Sequence, residues 1–181
     1  IDLEGAFLER ANLKGANLRN AKLKDAILAH ANLEGANLTG AVLERANLGK
    51  AHLVGTNLSD TDLRDAILYE ANLSGAKLSG ANLSKANTFL ITCEGADFSN
   101  ARAQNMFFYK ANIARANFRG AKFTLCVFVE CDATELDAKG SDFSQSVFLM
   151  SKGDGAVFSD SALENFRIVE ASRRRPAPSK S

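Results

Sequence analysis

Residues 11–40 read ANLKG ANLRN AKLKD AILAH ANLEG ANLTG, six groups of five in which the first residue is always Ala and the third always Leu. The same frame extends back to Ile1 and forward to Glu170, giving 34 pentads without a slip. Across them the first position is Ala in 21 and a small residue (Ala, Ser, Thr or Cys) in 29, while the third is Leu in 18 and Phe in eight. Neither position is ever charged, although 24% of the chain is Asp, Glu, Lys or Arg. Desolvation keeps charges out of a core, so the first and third positions point inward and the other three outward.

A period of five fits neither the 3.6 of a helix nor a long alternating strand. Within each pentad the apolar spacing of two is strand-like, and a following pair such as Glu-Gly, Arg-Asn or Ser-Gly carries turn chemistry. Each pentad therefore reads as a short extended piece ending in a corner, and the chain must coil. The pattern A(N/D)LxG, as in Ala11-Asn12-Leu13-Lys14-Gly15, Ala36-Asn37-Leu38-Thr39-Gly40 and Ala71-Asn72-Leu73-Ser74-Gly75, resembles the pentapeptide-repeat family. The resemblance covers residues 1–170. It implies an all-β fold, a right-handed quadrilateral β-helix (solenoid) with four pentads per coil. On that fold 34 pentads make about eight and a half four-sided coils, a rod about 41 Å long at about 4.8 Å per strand spacing.

Core volumes support four pentads per coil from the residues alone. Phe143, Phe148 and Phe158 share a coil with Gly153, three rings around one empty place, and Phe123 and Phe128 share theirs with Ala133 and Ala138, where Leu136 fills a normally small slot. Central residues run as unbroken Leu from Leu3 to Leu83, so the N-terminal half is expected to be the more regular. The pentads ANTFL, ITCEG and ARAQN around Thr88, Cys93 and Ala103 depart from the pattern and predict a local bulge or loop. Asn or Asp fills the second position of 17 pentads, where such side chains are expected to ladder toward neighbouring corners. Residues 171–181 read as a disordered basic tail, and Phe166 as a plug for the C-terminal end.

Sorting outward residues by side of the coil isolates one apolar face. It carries Phe7, Ile27, Ile67, Tyr69, Phe89, Leu90, Phe107, Tyr109, Val127, Val129, Val147, Leu149, Met150 and Val169, fourteen of 27 outward positions. The other three sides together offer Val42, Val54, Leu125 and Val157. Strand propensity alone would have enriched all sides equally, so this face is expected to be covered by protein. Asn47 and Lys50 interrupt it, leaving a dense part from Ile67 to Met150. Three occupants are open: a second copy, sequence preceding Ile1, where the chain starts inside a repeat and upstream sequence is expected, or a separate partner protein.

Enzyme chemistry has no foothold. The chain holds no GxSxG, phosphate-binding Gly-rich loop or HExxH. Its two histidines, His30 and His52, lack a nearby nucleophile or paired acid and read as solvated surface residues. Cys93, Cys126 and Cys131 fall in inward slots, form no CxxC and leave one unpaired, so they read as buried small hydrophobes in a reducing compartment. No catalytic residue, metal site, cofactor or small-molecule substrate is expected. Net charge is +1, which provides no field for nucleic acid, and the apolar face has few flanking bases to hold it on a membrane. The expected location is the cytoplasm, or a host cytosol after delivery.

The resemblance also brings two family roles. Some members act as effectors or secretion-associated modules in which the rod presents another domain. Others protect DNA gyrase as strongly acidic, DNA-sized rods that dimerise through a C-terminal helix. Here the acidic residues are matched by Lys22, Lys24, Arg45, Arg64, Arg102 and Lys122, and Pro176 follows too soon after Ile168 for a dimerising helix. The reading is therefore a non-catalytic protein-binding scaffold, with a DNA-mimicking, gyrase-protecting rod as the alternative.

Overall fold

The computed structural model describes residues 1–158 and the backbone of Ile168–Val169. From Asp2 to Asp137 each second-position residue pairs in parallel with the residue twenty further on, in four ladders that start at Asp2, Phe7, Asn12 and Asn17. Twenty residues are four pentads, so each pentad lies beneath the fourth one after it. The expectations for Phe166 and for the tail at 171–181 lie outside the described residues.

Backbone hydrogen bonding explains why five residues make a unit. Lys22 N–H donates to the Ile1 carbonyl one rung back (3.0 Å), while Leu3 and Gly5 donate forward to the carbonyls of Lys22 and Lys24 (both 2.8 Å). Ala6 N–H closes the corner onto the Leu3 carbonyl (3.1 Å). One donor per pentad, the fourth N–H, is left over. At Glu4 it is taken by Asp2 Oδ1 (3.2 Å), and all 17 Asn and Asp residues at second positions do the same for the N–H two residues on.

This corrects the expectation that these side chains ladder toward neighbouring corners. Each chiefly caps its own corner, because the short side chain reaches two residues along more readily than a rung across. Contacts to the rung before it are made by Asn117 Nδ2 to Asp97 Oδ1 (2.9 Å) and Asn112 Nδ2 to Glu94 Oε2 (3.3 Å).

Every fifth position from Gly5 to Gly155 has a positive φ, between 50° and 71°, whether Gly or not. Eleven of these 31 corners are Gly, which takes this conformation without strain; the other 20 are side-chain-bearing residues.

Toward the C-terminal half the extended pieces lengthen. The elements are β1 (Arg102–Gln104), β2 (Phe107–Tyr109), β3 (Lys122–Thr124), β4 (Val127–Val129), β5 (Asp137–Ala138), β6 (Val147–Leu149), β7 (Val157–Phe158) and β8 (Ile168–Val169). They form parallel sheets of order β1-β3, β2-β4-β6-β8 and β5-β7. No three-residue strand has Asn or Asp at its second position, so the fourth residue is released from the side-chain cap and joins the ladder.

Those pentads also open their corners. Cys126 N–H donates to Ser146 Oγ (2.9 Å), whose hydroxyl donates to the Phe123 carbonyl (2.6 Å). A hydroxyl from the next rung thus bridges two groups that elsewhere bond directly. Ser151 Oγ accepts the Cys131 N–H in the same way (3.1 Å), and the Cys126 and Cys131 thiols lie on the carbonyls of Ala103 (3.7 Å) and Phe108 (3.5 Å) one rung back.

Inside, first- and third-position side chains form one continuous core. Phe108, Phe128 and Phe148 stack in a column with centroids 4.5 and 4.1 Å apart. Phe143, Phe148 and Phe158 meet edge to face at 5.8–6.1 Å, an arrangement that suits the ring quadrupoles.

The bulge expected near Thr88, Cys93 and Ala103 is absent: Asn87, Thr92 and Arg102 keep the ladder register, and all three inward residues are buried. The reason is compensation of volume. Phe98 and Phe108, also buried, occupy the central slots among these smaller side chains.

Candidate protein-binding face

The ladder that starts at Phe7 runs Phe7, Ile27, Asn47, Ile67, Asn87, Phe107, Val127, Val147, with each neighbour paired in parallel to the next. All second-position residues singled out in the sequence therefore stand in one column. Their fourth-position companions form a second column beside it. There Tyr69, Phe89 and Tyr109 make an external aromatic ladder, with centroids 6.2 and 4.7 Å apart, and Phe107 lies parallel to Tyr109 at 6.4 Å. Val129 and Leu149 continue that column through β4 and β6, and the backbone pairing extends to Val169 in β8.

Exposure is uneven along the face. Phe7 is 84% exposed, Phe107 50%, Met150 49% and Ile67 40%. Ile27, Tyr69, Phe89, Leu90, Tyr109, Val127, Val129, Val147 and Leu149 are half-buried. Leu125, assigned to another side in the sequence, stands exposed at the corner leading into β4 and widens the patch there.

The charges along its edge were not legible as part of the face. Lys50 lies over the Tyr69 ring (5.8 Å) and pairs with Glu70 (3.5 Å); Lys110 lies over the Tyr109 ring (5.2 Å) and pairs with Glu130 (3.5 Å). The Tyr69 hydroxyl, hydrogen-bonded to Glu70, has its pKa raised, and the same bond, followed by the Lys50 charge, holds the Glu70 carboxyl below its usual range. Lys110 is pushed up by its bond to Tyr109 and by Glu130. The stretch at Asn47 and Lys50 that interrupts the apolar column is thus bridged by a lysine folded onto the aromatic ladder. Gly49 and Ala29 leave a hollow of about 260 Å³ there, bordered by His30, Asn47 and Ile67.

The remaining candidates for chemistry are dispersed. Both histidines are exposed. Burial pushes the Cys126 and Cys131 thiols up to about 11 and raises Cys93 as well, so the nucleophilic thiolate is suppressed at neutral pH. Among the described residues no cluster of His, Cys, Asp or Glu could hold a metal ion, and no helix is long and apolar enough to cross a membrane. A polar hollow of about 210 Å³ between Ser84, Arg102, Gln104 and Lys122 lies on the neighbouring ladder.

Among solved structures, the plasmid-mediated fluoroquinolone resistance protein QnrB1 superposes with a TM-score of 0.51 at 14% identity, over 93% of this chain and 91% of that one. The pentapeptide repeat protein HetL from the cyanobacterium Nostoc sp. strain PCC 7120 matches at 26% identity, TM-score 0.41, over 88% and 86% of the two chains. A thylakoid-lumen pentapeptide repeat protein of Arabidopsis thaliana is 32% identical over 50% of this chain and 63% of its own, TM-score 0.30. No curated protein sequence matches the chain. The family model for pentapeptide repeats matches eight copies, at residues 1–28, 26–65, 66–87, 93–128 and 111–149. With the five-residue hydrogen-bonding unit and parallel ladders at a spacing of twenty, this places the chain in the pentapeptide-repeat family.

Proposed function

We propose that the chain is a non-catalytic, protein-binding rod, a right-handed four-sided β-helix of about eight and a half coils that presents one apolar face to a protein. The observation that carries this reading is segregation: Phe7, Ile27, Ile67, Phe107, Val127 and Val147 share one ladder. A contiguous apolar strip of this kind on a protein surface marks an interaction site. The buried thiols and dispersed histidines support the absence of chemistry.

Charge pairing argues against the duplex-mimicking alternative. Asp2, Asp25, Glu34, Glu44, Glu70, Glu130 and Asp132 each pair with a Lys or Arg one rung away, so the acidic surface is neutralised locally instead of repeating like phosphates.

The test replaces Phe107 with a photoreactive benzophenone residue and, as control, Asn37 on another ladder. Illumination in native extract is expected to yield protein adducts from position 107 and none from position 37. Equal labelling from both, or none from 107, would remove the basis for the reading.

A further inference from the structure

We infer that the occupant of the apolar face is a second copy of the chain, packed antiparallel about a two-fold axis at the level of Phe89 and Leu90. This rests on the protein-binding reading of the face. The edge of the face carries, rung by rung, His30, Lys50, Glu70, Leu90, Lys110, Glu130 and Met150. A two-fold axis lying in the interface and crossing the rod keeps each edge on its own side and reverses the order of the rungs. Centred on Leu90, it sets Glu70 against Lys110 of the second copy and Lys50 against Glu130, each contact occurring twice. Self-complementarity of this kind, residue i on j and j on i, is what an isologous interface requires.

The same axis matches shapes. The aromatic column is symmetric about it, with Phe89 facing its own copy and Tyr69 facing Tyr109. The hollow at Ala29 and Gly49 falls opposite Leu149 and Val129, and exposed Met150 reaches the His30 margin. The gap at one end of the face thus receives the ridge at the other. The cation–π contacts keep Lys50 and Lys110 over this face, where the opposing carboxylates arrive.

Seven rungs from Ile27 to Val147 overlap. At about 4.8 Å per rung and about 15 Å across, each copy covers roughly 500 Å², about 1,000 Å² in total, with sheets about 10 Å apart. That meets the lower bound of about 1,000 Å² for a biological interface and falls in the range of reversible, micromolar pairs. An axis running along the rod would instead place Lys50 against Arg45 and Glu70 against Asp65, like charges in both cases. In the antiparallel arrangement one like-charge meeting remains, Lys85 with its own copy at the opposite edge.

Sedimentation equilibrium of the whole chain over a micromolar concentration series, with two charge-swapped variants, tests the proposal. Glu70→Lys and Lys110→Glu each turn both inter-copy pairs repulsive. Each alone is expected to weaken dimerisation by about tenfold to a hundredfold. An equimolar mixture is expected to regain association near the parental level, because one contact then pairs Lys at 70 of the first variant with Glu at 110 of the second, and the other pairs the unaltered Lys110 of the first with the unaltered Glu70 of the second. Lys50→Glu mixed with Glu130→Lys provides an independent second pair, and circular dichroism checks that all four variants are folded.

A parental chain that stays monomeric overturns the proposal, and adducts from position 107 with other proteins would then leave the protein-binding reading intact. A dimer indifferent to the swaps, or one that mixing does not rescue, overturns the arrangement. So does a dimer weakened by Lys110→Glu but not by Glu70→Lys, which would indicate an axis between Lys110 and Glu130.

Discussion

Fourteen of the 20 non-glycine corner residues are neither Asn nor Asp, so side chains such as Leu125 (φ 56°) and Arg115 (φ 56°) are held in the left-handed region that L-residues ordinarily avoid. The rung hydrogen bonds on either side impose the conformation, and each such corner carries a local cost of about 1 kcal/mol. Leu125 is 41% exposed and gives up little burial if shortened. Leu125→Asn is therefore expected to raise stability by about 0.5–1 kcal/mol, read as an increased urea midpoint at constant slope. The five-residue period, the inward Ala and Leu, and the corners were all legible, because each is a short-range preference repeated many times. The role of the second-position Asn and Asp was read one step wrong. Composition shows that a hydrogen-bonding side chain belongs there, but the choice between its own corner and the next rung is made by side-chain reach, which spacing does not report.

At the scale of the element, the bridged corners explain why Ala gives way to Cys126, Cys131, Ser146 and Ser151. Where the extended piece lengthens to three residues and the corner opens, the first residue one rung on must supply a donor and acceptor to the separated N–H and carbonyl. Ser146→Ala strands the Cys126 N–H and the Phe123 carbonyl in a buried site and is expected to cost about 1–3 kcal/mol. Ser146→Cys should recover part of the loss, since the Cys126 thiol already lies on the Ala103 carbonyl at 3.7 Å; chemical denaturation of the three proteins ranks them. This pairing of Phe123 with Ser146 spans 23 residues and left no mark in any single pentad. The regularity around Cys93 and Ala103 was hidden for a related reason. Each pentad looks defective alone, and only the buried rings of Phe98 and Phe108 show the deficit of volume made up.

Over the whole molecule, carboxylates set the pH response. Hydrogen bonding lowers the pKa of Asp2, Asp25, Asp62, Asp132 and Asp142, their first partners being Glu4 N–H, Arg45, Arg64, Thr134 and Ser144, and Tyr69 does the same for Glu70. The unfolded chain binds protons first as the pH falls, so the stability these groups contribute is complete above their unfolded values of about 4 and lost below them. The denaturant midpoint should be level from pH 7 to 5 and decline below about 4. The effect is modest, because Asp2, Asp25 and Glu70 are exposed and Asp62, Asp132 and Asp142 only half-buried, so solvent screens them. The apolar column was legible in outline, since sorting by a register of twenty gathers Phe7, Ile27, Ile67, Phe107, Val127 and Val147 into one ladder, with Asn47 and Asn87 between them. Its charged edge was not, because the placement of Lys50 and Lys110 over tyrosine rings depends on side-chain direction.

The spacing of twenty also constrains how a gene for such a rod can change in length. Inserting one pentad after Gly75 would preserve every inward Ala and Leu, every corner and every rung bond, and the protein would fold. It would nevertheless shift all later residues to the adjacent ladder, so that the column of Phe7, Ile27 and Ile67 would continue into Asn82, Arg102 and Lys122. Only insertions or deletions of four pentads leave the surface pattern continuous. For this chain the unit of folding is five residues and the unit of recognition is twenty, and a length change neutral for one is disruptive for the other.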